Sequence, residues 1–174
     1  MHRILREKFF NRSAVVVARE LLGKFLVRRR GGRTTAAMIT EVEAYEGPRD
    51  KASHASRGRT ERNAPMFGPP GHWYVYFCYG MHWLANIVTG PREYPAAVLI
   101  RAVEDTAGPA RVTKRFGVGR AQNGREATRS GGFWIEDRGY RVSARAVKRT
   151  PRIGVAYAGP VWGKKPFRFV VRDT

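Results

Sequence analysis

Two glutamates and a tyrosine alternate within the run Ile39-Thr-Glu-Val-Glu-Ala-Tyr45. Because successive side chains of a strand point to opposite faces, a strand here would place Glu41, Glu43 and Tyr45 on one face together with Ile39. Two interpretations fit this pattern. The residues form a solvent-facing polar strip, or one carboxylate acts as a general base beside an aromatic ring. Hydrolysis of a glycosidic bond uses such a carboxylate to orient or deprotonate water, so this segment is the first candidate for a catalytic site.

A second candidate cluster is aromatic, since six of the Phe, Trp and Tyr residues lie between Trp73 and Trp83. Alternation places Tyr74 and Tyr76 on one face of a predicted strand, a pattern that also fits an aromatic core strand. Tyr79 fits a core poorly because it lies in a predicted hairpin turn, where burial is least. A large side chain at a hairpin tip is typical of a wedge that enters between bases. Tyr74 and Tyr76 would then stack on an extruded base.

A third candidate is Arg101, which interrupts the apolar run Leu99-Ile-Arg-Ala102. A buried guanidinium without a partner is costly, so we expect an anionic partner for it, most simply a carboxylate across the sheet.

Histidine and cysteine give no indication of a metal site. The four histidines are His2, His54, His72 and His82, and no pair has the HExxH spacing or a comparable one. Cys78 is the only cysteine, which excludes an internal disulfide and a cysteine-rich zinc site. We interpret it as a small buried hydrophobic residue.

The charge of the chain predicts a polyanionic partner. Its 174 residues include 33 Lys and Arg against 14 Asp and Glu, which gives a formal net charge of +19. So large a charge on a small body produces a strong positive field. Nucleic acid is the leading predicted partner, an acidic membrane surface the second and an acidic protein the third. No apolar run is long enough for a membrane span, and the N-terminal residues do not resemble a secretory signal.

The predicted secondary structure that positions these candidate residues contains more strand than helix. Helices are predicted over 13–22, with Val15, Val16, Leu21 and Leu22 facing the core, and over 108–116. Strands are predicted over 24–29, 34–45, 73–77, 82–89, 96–103, 133–135, 153–155 and 167–171, with a long loop over 47–70. Because turn signals occur throughout, we expect a single domain that covers residues 1–174.

Several short motifs, taken in order, resemble the alkyladenine (3-methyladenine) DNA glycosylase family. They run from about residue 8 to residue 171 and comprise Ala18-Arg-Glu-Leu-Leu-Gly23, Glu41-Val-Glu-Ala-Tyr-Glu-Gly-Pro48, Asp50 through His54, Arg62-Asn63, Met66-Phe67, Tyr74-Val-Tyr76, Tyr79-Gly-Met81, Asn86-Ile87, Leu99-Ile-Arg-Ala102, Pro151-Arg-Ile-Gly-Val155 and Lys165-Pro-Phe-Arg-Phe169. One such motif alone would be weak evidence, whereas the ordered series is specific.

The resemblance implies roles at matching positions. Glu43 corresponds to the acidic residue that activates water for attack at C1′ of the target nucleotide. Arg101 corresponds to the arginine that helps to hold this water, and the main chain at Ile153 provides its third contact. Tyr79 corresponds to the wedge that fills the gap in the duplex, and Met81 lies beside it.

The resemblance also implies a base pocket formed by Tyr45, His54, Tyr76 and Asn86. The rings of Tyr45 and Tyr76 would stack on the flipped base, and Asn86 would disfavour the 2-amino group of guanine. The implied fold is a single compact mixed α/β (α+β) domain. It has a strand-rich antiparallel core, short helices and a protruding β-hairpin that intercalates into DNA.

The implied activity is that of a monofunctional DNA glycosylase in base-excision repair. Such an enzyme hydrolyses the N-glycosidic bond of damaged purines in duplex DNA and leaves an abasic site. The candidate purines are 3-methyladenine, hypoxanthine, ethenoadenine and 7-methylguanine. The family needs no metal or organic cofactor and is usually monomeric, and we expect no membrane association. In a bacterium the protein would work in the cytoplasm at the nucleoid, and in a eukaryote in the nucleus.

Two alternatives remain from the residues alone. A non-catalytic basic nucleic-acid-binding protein would share the charge and the aromatic residues. A bifunctional glycosylase would use a lysine amine instead of water.

Overall fold

The structure, a computed structural model, describes residues 2–172, and these residues form one antiparallel sheet flanked by short helices. The strands are β1 (Arg3–Ile4), β2 (Phe25–Arg30), β3 (Arg33–Tyr45), β4 (Trp73–Cys78), β5 (His82–Thr89), β6 (Ala96–Val103), β7 (Thr106–Ala107), β8 (Phe133–Asp137), β9 (Val147–Thr150) and β10 (Arg168–Val171). The α-helices are α1 (Glu7–Phe10), α2 (Ala14–Leu21), α3 (Pro109–Phe116) and α4 (Gly159–Trp162). Short 3-10 helices lie at His54–Arg57, Ala64–Phe67, Arg120–Gln122, Ala144–Ala146 and Ala156–Ala158.

The long strand β3 organises the sheet, whose main order is β1-β8-β2-β3-β6-β5-β4. The first half of β3 pairs with β2, and the second half pairs with β6 on the opposite edge. Beyond Met38, which pairs with the first residue of β2, β10 takes the place of β2 and pairs with residues 41–43 of β3. The second half of β3 is therefore held on both edges, which makes it a rigid support for side chains.

The main core lies on one face of this sheet, beneath α2. The buried residues of α2 are Ala14, Val17, Ala18 and Leu21, at the i, i+3, i+4, i+7 spacing of an amphipathic helix. The prediction that Val16 faces the core is wrong. Val16 is 43% exposed because the helical period turns it away from the buried stripe.

Two register shifts between β3 and β6 correct the predicted faces of β3. Pairing slips between Ile39 and Glu41 and again between Glu41 and Val42, so strict alternation fails there. Ile39 is fully buried in the main core with Val42. It therefore does not share the face of Glu43, as alternation had predicted.

The predicted fold class is confirmed: the protein is a strand-rich antiparallel α+β domain with short helices and a β4–β5 hairpin. The predicted strand over 153–155 is wrong. Residues 153–154 form a turn, in which Gly154 has φ +73°, and the strand of this region is β9, which had not been predicted. The short elements β1 and α1 also had not been predicted. Within residues 2–172, no helix has the length and apolarity of a membrane span.

Candidate active site

A cavity of about 390 Å³ opens on the face of β3 that is turned away from α2. Strands β3, β4, β5 and β6 line its floor, and residues 52–54, 153–157 and the start of α3 line the rest. The structure brings together there the predicted residues Glu43, Tyr45, His54, Tyr76, Tyr79, Asn86, Arg101 and Ile153. Met81 does not line the cavity and lies on the hairpin next to it.

Glu43 lies at the floor of the cavity and its side chain is fully buried. The main-chain N–H of Ile153 donates to Oε1 at 2.7 Å, and the Tyr45 hydroxyl donates to Oε2 at 2.9 Å. The Nε of Arg101 lies 3.6 Å from Oε1. An ionised carboxylate only accepts hydrogen bonds, and these donors suit that form.

Arg101 has the anionic partner that the sequence predicted for it. Its Nε–H donates to Oε1 of Glu41 at 3.0 Å, across the β3–β6 pair. Arg168 of β10 donates to the same oxygen at 2.6 Å. Glu41 is therefore engaged by two guanidinium groups and does not line the cavity, whereas Glu43 does.

A buried ion pair between Asp50 and Arg152 lies next to the floor of the cavity. The side chains of Asp50 and Arg152 are both fully buried, and the guanidinium donates to the carboxylate through two nitrogens. It also donates to the carbonyls of Ala44 at 2.9 Å and Trp162 at 3.1 Å. Arg152 thus ties the end of β3 to the turn that contains Ile153. Its Cζ lies 4.8 Å from the centre of the Tyr45 ring.

Tyr45 and Tyr76 provide the aromatic walls. Burial, and after it the Glu43 carboxylate, raises the pKa of the Tyr45 phenol well above its ordinary value. Burial also raises the pKa of Tyr76. Both phenols therefore stay protonated at neutral pH, and Tyr45 remains a hydrogen-bond donor to Glu43.

His54 lies at the edge of the cavity, against Tyr76, with ring centres 4.6 Å apart in an edge-to-face arrangement. Its Nδ1 lies 3.0 Å from the hydroxyl of Tyr74. Partial burial, and after it the positive charge of Arg62, lowers the pKa of His54, so its ring is neutral at neutral pH. Burial raises the pKa of Tyr74 to about 12.

Tyr74 differs from its predicted position because its ring is buried in a small core cluster. It touches the cavity without forming an open stacking surface. The buried Asn86 on β5 donates from its amide to the carbonyl of Tyr74 at 3.1 Å. Asn86 thus lines the cavity as a fixed polar group, in register with Leu99 of β6, which itself pairs with Glu43.

The β4–β5 hairpin carries an exposed tip beside the cavity. Tyr79 is 89% exposed and Met81 is 68% exposed. The turn places Tyr79 at φ +51° and Gly80 at φ +67°, and the N–H of Met81 donates to the carbonyl of Cys78 at 3.2 Å. Cys78 is half-buried at the cavity wall, so the prediction of full burial is wrong.

Sequence reasoning gave no role to Asp50, Arg152, Arg62 or Tyr157. Arg152 has apolar neighbours only at Pro151 and Ile153, which is a weaker signal than the apolar run around Arg101. Asp50 is its partner 102 residues away, a distance in sequence that no local pattern bridges. Tyr157, whose hydroxyl donates to the carbonyl of Ala52 at 2.8 Å, lines the cavity mouth and gave no signal.

The cavity contains one carboxylate and two guanidinium groups, and no lysine lines it among the described residues. In the same part of the chain, no three His, Cys, Asp or Glu side chains cluster in a way that could hold a metal ion. The chemistry available at the floor is that of a carboxylate with fixed hydrogen-bond donors, set between aromatic rings.

Known proteins are similar to this chain over nearly its whole length. The family model described as Methylpurine-DNA glycosylase (MPG) matches residues 8–107 and 104–174. A protein of Anaeromyxobacter dehalogenans (strain 2CP-C), named "Putative 3-methyladenine DNA glycosylase", is 46% identical over 98% of this chain and 84% of its own length. Proteins of the same name from Myxococcus xanthus (strain DK1622) and Methanocella arvoryzae are 46% and 41% identical. Each covers 98% of this chain, and the alignments span 91% and 94% of their own lengths. The chain therefore belongs to the methylpurine-DNA glycosylase family, a family of enzymes that act on DNA.

Proposed function

We propose that this protein removes damaged purines from duplex DNA by hydrolysing their N-glycosidic bond at Glu43. The observation that carries the proposal is the buried Glu43 carboxylate, held by Ile153 and Tyr45 at the floor of an aromatic-walled cavity. The candidate bases are 3-methyladenine, hypoxanthine, ethenoadenine and 7-methylguanine. The names of the relatives support the first of these.

In the first step, basic side chains bind phosphates without reading the sequence. The target nucleotide then leaves the stack, and Tyr79 occupies the space that it vacates. The exposure of Tyr79, and its position on a hairpin beside the cavity mouth, support this role. Unstacking is easiest at a damaged or mispaired base, which contributes to selectivity.

In the second step, the extruded base lies between Tyr45 and Tyr76. Stacking on an aromatic ring stabilises a base by about 1–3 kcal/mol, and a cationic base such as 3-methyladenine gains further from the ring faces. His54 and Asn86 add polar contacts at the edges of the base. The volume of about 390 Å³ lies within the range of small-ligand sites.

In the third step, Glu43 orients a water molecule toward C1′ of the nucleotide. The bond between C1′ and the base nitrogen breaks, and its electron pair leaves with the base. This electron pair neutralises a cationic base such as 3-methyladenine, whereas a neutral base such as hypoxanthine also takes up a proton from the solvent. The water oxygen bonds to C1′, and its proton passes to Glu43. The carboxylate also stabilises the positive charge that develops on the sugar. Arg101 helps to hold the water, and the products are a free base and an abasic site.

Water rather than a lysine is the nucleophile in this proposal, and the absence of lysine from the described cavity lining supports it. A lysine-dependent enzyme forms a Schiff base with the sugar, which borohydride traps. We expect no trapped adduct on damaged duplex.

We also propose that the protein acts as a monomer on chromosomal DNA.

The test compares Glu43→Gln with Glu41→Gln in single-turnover release of each candidate base from duplex DNA. We expect Glu43→Gln to slow release by at least about a hundredfold, because it removes the group that activates water. Damaged-duplex affinity should stay within about threefold, since phosphate contacts are unchanged. Glu41→Gln is the matched control on the same strand and should have the smaller effect. Undiminished release by Glu43→Gln, or a larger loss in Glu41→Gln, would contradict the assignment.

A further inference from the structure

A second concavity of about 880 Å³ lies on the reverse face of the sheet. We call it the α2 groove. It is bounded by α2, by residues 3–12 and by the segment 140–147. Val42 and Ala44 of β3 pack in the main core with α2, whereas Glu43 between them faces the opposite way. A duplex held at the candidate active site therefore lies on the other side of the sheet from this groove.

Apolar residues form part of the lining of the groove, between charged ones, and they include Ile4, Phe9, Val16, Leu22, Val142 and Val147. Val16 is the most informative of these residues. It is a β-branched residue in the first turn of α2, yet it is 43% exposed and points away from the core stripe of the helix. Together with the partly exposed Ile4, Phe9, Val142 and Val147 in the same concavity, Val16 forms an apolar patch, and such a patch is typical of a surface that contacts another protein.

The rim of the groove is strongly positive, and its two carboxylates are already paired. Glu20 accepts from Arg12 at 2.8 Å, and Asp137 accepts from Lys24 at 3.0 Å. The remaining cations on the rim include Arg6, Lys8 and Arg19. Among residues 2–172, none of these three has a carboxylate within 4.0 Å.

We propose that the α2 groove docks an acidic peptide segment of another protein, in which apolar side chains alternate with carboxylates. The carboxylates would pair with Arg6, Lys8 and Arg19, and the apolar side chains would cover Val16 and its neighbours. Duplex DNA matches the charge of this rim, but its phosphate backbone offers nothing to the apolar floor. The position opposite Glu43 also separates the groove from the bound duplex. The proposal goes beyond the proposed function and does not depend on it.

The test uses the full chain and a fluorescein-labelled peptide of about 15 residues that combines Glu with Leu and Phe, a length that fits a groove ligand. Binding is measured by fluorescence anisotropy at physiological salt. The Arg6→Glu/Arg19→Glu variant should weaken binding by about tenfold, because it reverses two charges that face the ligand. The matched control is Arg92→Glu/Arg129→Glu, which changes the net charge equally at exposed sites outside the groove, and should lose less than about threefold.

Further measurements complete the test. Lys8→Glu repeats it with one exposed side chain, in case the double variant unfolds. Val16→Ser should weaken binding of the Glu/Leu/Phe peptide, and a peptide of equal length and equal Glu count with Ser in place of Leu and Phe should bind more weakly than that peptide. Base release should stay unchanged in each groove variant. Equal losses in the groove and control variants, or equal affinity for the two peptides, would overturn the proposal. Displacement of the peptide by undamaged duplex, with damaged duplex already saturating the enzyme, would assign the groove to DNA instead.

Discussion

The floor of the cavity and the tip of the β4–β5 hairpin serve the same proposed reaction but are built in opposite ways. At the floor, Glu43 is fully buried and accepts two hydrogen bonds from within the chain. At the tip, Tyr79 is 89% exposed, in a conformation that L-residues seldom adopt. The comparison shows that the chain fixes the geometry of the carboxylate that we propose aims the water. It leaves exposed the side chain that we propose enters the duplex.

The largest expected effect is a loss of folding stability in Arg152→Met, which removes the buried ion pair next to the cavity floor. The change leaves the buried Asp50 carboxylate without its counter-charge, although the N–H groups of Glu46 and Ala52 still donate to it. Losing one partner of a buried ion pair destabilises proteins by about 3–5 kcal/mol. Urea unfolding measures the difference. The control is Arg149→Met, at an exposed position on the neighbouring strand β9, and should have little effect. Adding Asp50→Asn to Arg152→Met should restore part of the stability, and a further loss would contradict the ion-pair explanation.

At the tip, Tyr79→Ala should impair base extrusion and leave folding intact. We expect the extruded population to fall by about tenfold, since the gap in the stack is no longer filled. A fluorescent base analogue next to the lesion reports this population. The free energy of unfolding should change by less than about 0.5 kcal/mol. Tyr140→Ala, at a 51% exposed tyrosine on the reverse face, is the control. Unchanged extrusion in Tyr79→Ala would remove the wedge role.

The smallest expected effect is a change in the pKa of His54, which lies at the edge of the cavity. Arg62→Gln should raise the pKa of His54 toward its ordinary value, because the neighbouring positive charge is lost while partial burial remains. A larger fraction of the ring would then be protonated at mildly acidic pH. NMR titration of the ring protons measures the pKa. Arg57→Gln, at the end of the same 3-10 helix as His54, provides the control. An unchanged or lower pKa in Arg62→Gln would contradict the electrostatic explanation.

Local sequence patterns predicted the features that depend on residues close together in the sequence. Period-two alternation placed Glu41, Glu43 and Tyr45 together, and the cost of burying a guanidinium predicted the partner of Arg101. Alternation failed at Ile39, because the register shifts of β3 arise from its pairing with β6 and leave no local signal.

The remaining errors also have physical causes. The apolar residues Ile153 and Val155 suggested a strand, but Gly154 adopts φ +73° and turns the chain. That turn is what directs the Ile153 N–H at Glu43. The contact between Asp50 and Arg152 depends on the tertiary fold and could not be derived from spacing. The roles of Tyr45, His54, Tyr76 and Asn86 as a base pocket came from the family resemblance and stay predictions.

The backbone at Tyr79 has a consequence for anyone who wishes to make this enzyme more heat-resistant. A left-handed conformation disfavours an ordinary L-residue by about 1–2 kcal/mol, and Asn or Gly accepts it more readily. A screen for thermal tolerance would therefore select replacement of this tyrosine early. The more stable protein would keep its fold and, without the proposed wedge, would extrude damaged bases less well.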